Sequence, residues 1–132
     1  MLFEVEKKAP KQNPTTAQLG TSIMKLRSYG RSSFASLTDE HGNYLQVGGG
    51  GITCLLERRT AAYAQHFRAY LETPSVVHPD GTILAFNGGQ VKLQADEWLS
   101  APVVIEAFTA FMQGHAFPQT IQWRNITSLL NS

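Results

Sequence analysis

The chain has 132 residues, 42% of them hydrophobic and 16% charged, and its formal net charge at pH 7 is +1. That length suits a single domain covering residues 1–132, and the composition excludes a disordered chain. The near-zero net charge gives no general attraction to nucleic acid or to an anionic membrane. No apolar stretch approaches the roughly 20 residues that a membrane-spanning helix needs.

The chain also lacks the marks of a secreted protein. Glu4 and Glu6 interrupt the apolar segment that a signal peptide would need. Cys54 is the single cysteine, so no internal disulfide bond exists, and its apolar neighbours predict a buried side chain rather than a nucleophile. We therefore expect a cytoplasmic protein.

Charge is distributed unevenly along the chain. Residues 1–31 carry six basic and two acidic side chains, a balance of +4. The remaining residues carry five basic and eight acidic side chains, a balance of −3. A mildly acidic body would favour a basic partner, although ordinary solvated surface gives the same pattern.

In chain order, the first predicted elements are a strand and a helix. Residues 2–6 alternate apolar and charged side chains, which is typical of a strand. A helix capped by Thr15 or Thr16 is predicted to run to about Tyr29. Its apolar side chains recur at helical spacing on one face: Leu19, Ile23 and Leu26.

The middle of the chain predicts a succession of strands joined by turns. Residues 39–43 have turn chemistry, and the Asn-Gly-Gly sequence at 87–89 is a strong hairpin signal. Phe34 and Leu37 are expected to point inward. The predicted strands cover residues 33–38, 44–49, 52–59, 65–72, 82–86 and 90–94.

A second helix is predicted in the last third of the chain. It begins after Ser100, has Pro102 in its first turn and ends at Gly114. Successive strands with a helix near each end indicate an α+β fold. We expect a mostly antiparallel sheet of about five to seven strands, with the N-terminal and C-terminal helices packed on it.

Residues 48–51 are four consecutive glycines, a composition found both in phosphate-binding loops and in bends of sheets. A phosphate-binding loop requires a following lysine and the start of a helix. Here residues 52–56 are Ile-Thr-Cys-Leu-Leu, which favour a strand. We therefore interpret the run as a turn or bulge between two strands, where another backbone can approach closely.

No pattern typical of a catalytic or metal site is present. The four histidines have no metal-ligand spacing, and one cysteine supplies no second thiolate. The adjacent carboxylates at 39–40 and 96–97 suit exposed turns better than an acid–base pair, because neighbours on a strand face opposite sides. Basic and aromatic residues are interleaved at 66–70, as in some nucleic-acid-binding surfaces. On a strand, however, Phe67 and Arg68 would face opposite sides, so we do not predict nucleic-acid binding. We expect no cofactor and no metal.

The C-terminal third carries the most specific pattern. An acidic and aromatic segment precedes the helix, a proline follows in a loop, and a hydrophobic-x-Trp segment comes next. The residues that carry the pattern are Glu106, Ala107, Phe108 and Phe111 on the helix, Pro118 in the loop, and Ile121 and Trp123 after it. The pattern resembles immunity protein family 1 of bacterial polymorphic toxin systems, whose members often end in this order of elements.

The resemblance implies a cytoplasmic protein without catalysis of its own that binds one cognate toxin and blocks its active site or substrate path. Members of the family are often acidic, matching toxins that handle nucleic acid, such as deaminases. This chain has a net charge of +1, so the chemistry of its toxin stays open. The alternative function is a small enzyme or a ligand-binding domain of the same fold, which predicts a pocket with converging polar groups.

Candidate contact residues for a toxin are those expected to be exposed in turns and at strand ends. Trp98 is the best single anchor, although packing under the helix would also explain it. The candidates are Asp39, Glu40, His41 and Tyr44 beside one hairpin, Glu57, Arg58 and Arg59 after the glycines, and Asp96, Glu97 and Trp98 before the last helix.

Overall fold

The computed structural model describes residues 1–130, and its largest element is an antiparallel sheet. The strands are β1 Leu2–Val5, β2 Lys11–Gln12, β3 Phe34–Thr38, β4 Tyr44–Gly50, β5 Thr53–Thr60, β6 Gln65–Leu71, β7 Thr82–Phe86, β8 Gly89–Leu93 and β9 Ile121–Asn125. Seven of them form the sheet, in the order β2-β1-β3-β4-β5-β6-β9, and β7 and β8 form a separate hairpin. This architecture confirms the predicted α+β class.

The helices within residues 1–130 are α1 Thr16–Met24, α2 Ala101–Gln113 and α3 Thr127–Leu130. α1 begins at a capping box, in which the side chains of Thr15 and Gln18 each accept a hydrogen bond from the other's backbone N–H. The helix ends at Met24 rather than near Tyr29 as predicted. At its end, the guanidinium of Arg27 folds back and donates a hydrogen bond to the Met24 carbonyl. None of these helices is long and apolar enough to cross a membrane.

The main core lies between one face of the sheet and the helices α1 and α2. Alternate strand residues such as Leu45, Val47 and Leu56 point into it. The helices contribute Leu19, Ile23, Val104 and Phe108. The two long helices also pack against each other, so the N-terminal and C-terminal helices lie on the sheet as predicted.

Phe34 does not point into this core as predicted. It is 36% exposed on the opposite face, because Ala35 and Leu37 occupy the inward positions of β3. Residues 34 and 37 are separated by an odd number of positions, so a regular strand cannot direct both to one face. Phe34 instead contacts Phe86 of the hairpin, with ring centroids 6.3 Å apart.

The sheet face opposite α1 and α2, here called the open face, is partly covered by a second layer. The β7–β8 hairpin and the segment before α2 form a smaller core of Leu55, Leu84, Leu93 and Trp98. The ring of Phe86 packs with that core beside Gly48 of β4. The hairpin thus contacts the open face toward the end where β4 turns into β5.

The glycine run allows three segments to meet. A Cβ on Gly48 would lie 2.7 Å from the Phe86 ring, and a Cβ on Gly50 would lie 2.0 Å from the carbonyl oxygen of Leu26, just after α1. Gly49 has a φ of +88°, which other residues rarely adopt. Gly48, Gly49 and Gly50 belong to β4 itself, and Gly51 begins the turn into β5.

Cys54 is completely buried, as predicted from its apolar neighbours. Its backbone is bridged to Leu99 by two hydrogen bonds of 2.9 Å, which tie β5 to the segment before α2. Burial raises the pKa of the thiol to about 12. The side chain therefore belongs to the core and stays protonated in the folded protein.

We expect alanine to have opposite effects at two glycines. Gly50→Ala should lower the free energy of unfolding by about 1–3 kcal/mol, because the new methyl group meets the Leu26 backbone, which cannot move aside freely. Gly20→Ala should raise it by about 0.5–1 kcal/mol, because that glycine is inside α1. The nearest atom to a Cβ on Gly20 lies at an ordinary 3.9 Å. Urea denaturation measures both; changes of the same sign would contradict the packing described.

Cys54 should react with thiol reagents only when the protein unfolds. The rate of reaction is measured with an aromatic disulfide reagent that releases a coloured thiolate. Because only an accessible thiolate reacts, the rate should rise with denaturant concentration in proportion to the unfolded fraction. Stoichiometric reaction in native buffer would contradict the buried position.

Candidate functional site

Strand alternation sorts the predicted contact residues between the two faces of the sheet. Cross-strand pairs join Tyr44 to Arg59 and Arg59 to His66, so these three side chains lie next to one another across β4, β5 and β6 on the open face. Glu57 lies on the same face, whereas Arg58 points to the face that α1 and α2 cover. The predicted Glu-Arg-Arg group is therefore divided.

An ion-pair cluster lies on the open face where β5, β6 and β9 are covered by the second layer. Arg68 Nη2 lies 2.9 Å from Glu57 Oε2, and Arg68 Nη1 lies 3.6 Å from Glu97 Oε1. Arg124 Nη1 lies 2.7 Å from Glu97 Oε2. Arg124 also binds Asp96 through two hydrogen bonds of 3.1 and 3.0 Å. Hydrogen bonds from Arg124 to Asp96 and then to Glu97 raise the pKa of the Arg124 guanidinium.

Glu97 is buried, which contradicts its expected exposure. Only 1% of its surface is accessible, and besides the two arginines it accepts a 2.7 Å hydrogen bond from the backbone N–H of Gln94. It lies in a short 3₁₀ helix, Ala95–Glu97, that packs on β6. The carboxylate attaches this helix to β6 and β9, so we assign Glu97 to the fold.

Trp98 is likewise a core residue, with 8% of its surface exposed. Its ring stacks on His78, with centroids 4.1 Å apart, and it packs in the smaller core with Leu55. An indole ring in this position covers apolar surface between the hairpin and β5. The expectation of an exposed aromatic anchor at Trp98 is therefore wrong.

Arg58 occupies an aromatic enclosure on the helix-covered face. Its guanidinium carbon lies 4.2 Å from the centroid of Phe67, 4.8 Å from that of Trp123 and 5.7 Å from that of Phe117. Burial lowers the pKa of the guanidinium. Such contacts stabilise a cation against ring faces, so Arg58 packs between rings rather than on the surface with Arg59.

Asp39 builds the β3–β4 turn. Partial burial alone would raise the pKa of its carboxyl group, but hydrogen bonds from the Asn43 side chain and from the backbone N–H groups of His41 and Asn43 outweigh that effect and lower it. The turn exposes Glu40 and His41, whose side chains are 87% and 76% accessible to solvent. Glu40 Oε1 and His41 Nε2 lie 3.6 Å apart.

The remaining candidates come together at the end of the open face beside this turn. The Tyr44 and His66 rings meet edge to face, with centroids 6.3 Å apart. Tyr63, which is 81% exposed, lies on the short 3₁₀ helix between β5 and β6 at the same end. We call this set the turn-end surface, and it consists of Glu40, His41, Tyr44, Arg59, Tyr63 and His66.

The turn-end surface is held by hydrogen bonds between its two turns. The Asn43 side chain accepts a 2.8 Å hydrogen bond from the backbone N–H of Ala61. Arg59 donates a 3.2 Å hydrogen bond to the carbonyl of Gly42. Burial raises the pKa of Tyr44, an effect that Arg59 partly offsets, so the phenol stays neutral. The surface is therefore ordered before any partner arrives.

Sequence reasoning found four of these residues and missed His66 and Tyr63. The alternation at 65–72 predicted that His66 and Phe67 point to opposite faces of the sheet. It did not give the register that brings His66 beside Arg59. The same register was needed to find Arg68 and Arg124 as partners of the predicted carboxylates.

Comparison with models of known protein families finds no match to this chain. Comparison with curated proteins finds no match either. The resemblance of the C-terminal residues thus stays a prediction.

Removing the central carboxylate of the ion-pair cluster should be strongly destabilising. Glu97→Gln should lower the free energy of unfolding by about 3 kcal/mol, the low end for a broken buried pair, because Arg68 and Arg124 keep Glu57 and Asp96. Glu40→Gln is the matched control and should change it by less than about 0.5 kcal/mol, since that carboxylate is exposed. Equal effects in thermal denaturation would contradict the structural role of Glu97.

Proposed function

We propose that this protein is a bacterial immunity protein that binds a cognate secreted toxin and neutralises it by covering the active site or the substrate path. The C-terminal resemblance supports this proposal, and so does the chemistry of the turn-end surface. Under the proposal the protein acts in the cytoplasm, carries out no reaction itself and needs neither a cofactor nor a metal.

The turn-end surface is the observation that carries the proposal. Tyrosine and arginine are enriched among the residues that dominate the binding energy of protein interfaces. Here Tyr44 and Arg59 lie side by side with His66 on three adjacent strands. Side chains held on strands lose little freedom on binding, so more of the contact energy appears as affinity.

The rim of this surface suits a charged partner. The side chains of Glu40 and His41 project from the turn, and Arg59 lies behind them. Mixed charges at a rim steer association and select among partners more than they raise affinity. A toxin that acts on nucleic acid, such as a deaminase, would offer a basic substrate path to Glu40, and the immunity protein would need no contact with nucleic acid.

A second candidate, a small ligand-binding domain, is favoured by one groove. It lies between the hairpin and the open face, has a volume of about 380 Å³, and is lined by apolar side chains together with Ser36, Gln46 and Glu57. That volume lies within the range of small-molecule sites. The main apolar lining residues are Phe34, Leu55, Phe86 and Val91. This function predicts that a small molecule stabilises the free protein and that Phe86→Ala abolishes the effect.

The deciding experiment captures the tagged protein from its native host and identifies what is bound by mass spectrometry. The proposal expects a one-to-one complex with the C-terminal domain of a large secreted protein. That domain, expressed alone in a laboratory host, should stop growth, and co-expression of this protein should restore it. A captured domain that is harmless, or growth that is not restored, would overturn the proposal.

Tyr44→Ala should weaken the complex by about 2 kcal/mol, which is about thirtyfold in Kd. Tyr44→Phe keeps the ring and should cost less. Lys92→Ala is the control, because that side chain is exposed on β8, away from the turn-end surface. Calorimetric titration measures all three. If Lys92→Ala weakened binding as much as Tyr44→Ala, the interface would lie elsewhere.

A further inference from the structure

The basic residues of the N-terminal flank meet at the end of the molecule opposite the turn-end surface. There a groove of about 250 Å³ lies between β1, the end of α1 and the loop that leads to β3. Its charged lining residues are all cations: Lys8, Lys25, Arg27 and Arg31. None of them forms an ion pair with the residues that the structure describes.

The neighbouring carboxylate, Glu6, is occupied by other groups. It accepts hydrogen bonds from the backbone N–H of Ser33 at 2.7 Å and from its hydroxyl at 3.1 Å. A third comes from the Asn87 side chain at 3.1 Å. All three bonds reach Glu6 Oε1 and direct the carboxylate toward Ser33 and the hairpin, so it forms no ion pair with the cations of the groove. The Arg27 guanidinium also donates to the carbonyls of Met24 and Leu26 and keeps its positive charge.

Large apolar side chains are exposed at the same end of the molecule, at the end of α1, in the loop after it and in the β4–β5 turn. Tyr29 is 93% exposed, Ile52 80% and Met24 49%. A second, shallower concavity of about 520 Å³ is lined by Tyr29 and Thr53, and it shares Arg27 and Gly30 with the groove. Exposed apolar side chains next to one another on a folded protein commonly mark a contact surface.

The loop that carries Tyr29 is fixed at several points. Arg27 and Ser32 are joined by a backbone hydrogen bond of 3.1 Å, and the Gly30 N–H donates to the Arg27 carbonyl at 3.0 Å. Asn87 of the hairpin turn also donates to the Gly30 carbonyl at 3.0 Å. An ordered backbone presents Tyr29 to solvent, so a partner would gain contact without first ordering the loop.

We propose that this basic end, formed by Lys8, Lys25, Arg27 and Arg31 with Met24, Tyr29 and Ile52, docks an acidic protein segment that carries apolar side chains. Carboxylates of the segment would meet the cations, and an apolar side chain would lie against Tyr29. A protein segment fits better than nucleic acid. The cations lie in one compact groove rather than along a track, and a phosphate backbone would leave Met24 and Ile52 uncovered.

This inference goes beyond the proposed function, because it concerns a different surface and needs no toxin. The probe is a fluorescently labelled peptide of glutamates interspersed with leucines. Fluorescence anisotropy should show saturable binding that weakens as salt is added. The double variant Lys25→Glu, Arg31→Glu should weaken it at least tenfold. Lys11→Glu, Lys92→Glu is the charge-matched control and should stay within about twofold, because both residues lie outside the groove.

A second comparison tests the aromatic contact. Tyr29→Ala should weaken binding of the glutamate–leucine peptide several-fold and should leave a glutamate–glycine peptide unaffected. The substituted side chains are exposed, so circular dichroism should give the native spectrum for every variant. The proposal is overturned if neither peptide binds, if the control double variant matches the groove variant, or if an oligouridylate of equal charge binds more tightly. None of these results depends on whether the protein neutralises a toxin.

Discussion

The buried carboxylate of Glu97 contacts arginines from two adjacent strands, and the position of the second layer depends on that contact. Arg68 and Arg124 are cross-strand neighbours on β6 and β9, so without a carboxylate between them their charges would repel. Glu97 lies between the two guanidinium groups, Glu57 and Asp96 pair with one each, and these contacts fix the 3₁₀ helix against the sheet. Trp98 follows directly and covers Leu55, which completes the smaller core. One ion cluster therefore determines which part of the open face is covered.

The sequence predicted those parts of the fold that depend on local chemistry. The helix cap at Thr15 or Thr16, the helix that ends at Gly114 and the alternation in β6 all depend on neighbours in the chain, and all were predicted. Pairing between distant segments was not predicted. The β7–β8 hairpin itself was predicted from its Asn-Gly-Gly turn and is confirmed. Its position was not predicted: it forms a layer of its own, with the Phe86 ring packed beside Gly48.

The same distinction explains the candidate site. The charge of Glu97 suggested that its side chain is exposed. Charge alone does not show that Arg68 and Arg124 lie on two adjacent strands and pair with the buried carboxylate. Arg58 and Arg59 are adjacent in the chain, but one lies among aromatic rings and the other beside Tyr44. Glu40 and His41 are exposed as predicted, and both lie in a turn. The side chains of Asp39 and Asn43 form the hydrogen bonds that fix the backbone of this turn.

Two different surfaces thus lie at opposite ends of β4 and β5: a mixed turn-end surface and a basic end with exposed apolar side chains. We propose that the first of them contacts a toxin. Hydrogen exchange, measured by mass spectrometry on the purified toxin complex and on the free protein, tests it most directly. If the toxin covers the turn-end surface, exchange in residues 39–44 and 59–66 should be slower in the complex than in the free protein. Slower exchange confined to the β7–β8 hairpin, with those two segments unchanged, would contradict it.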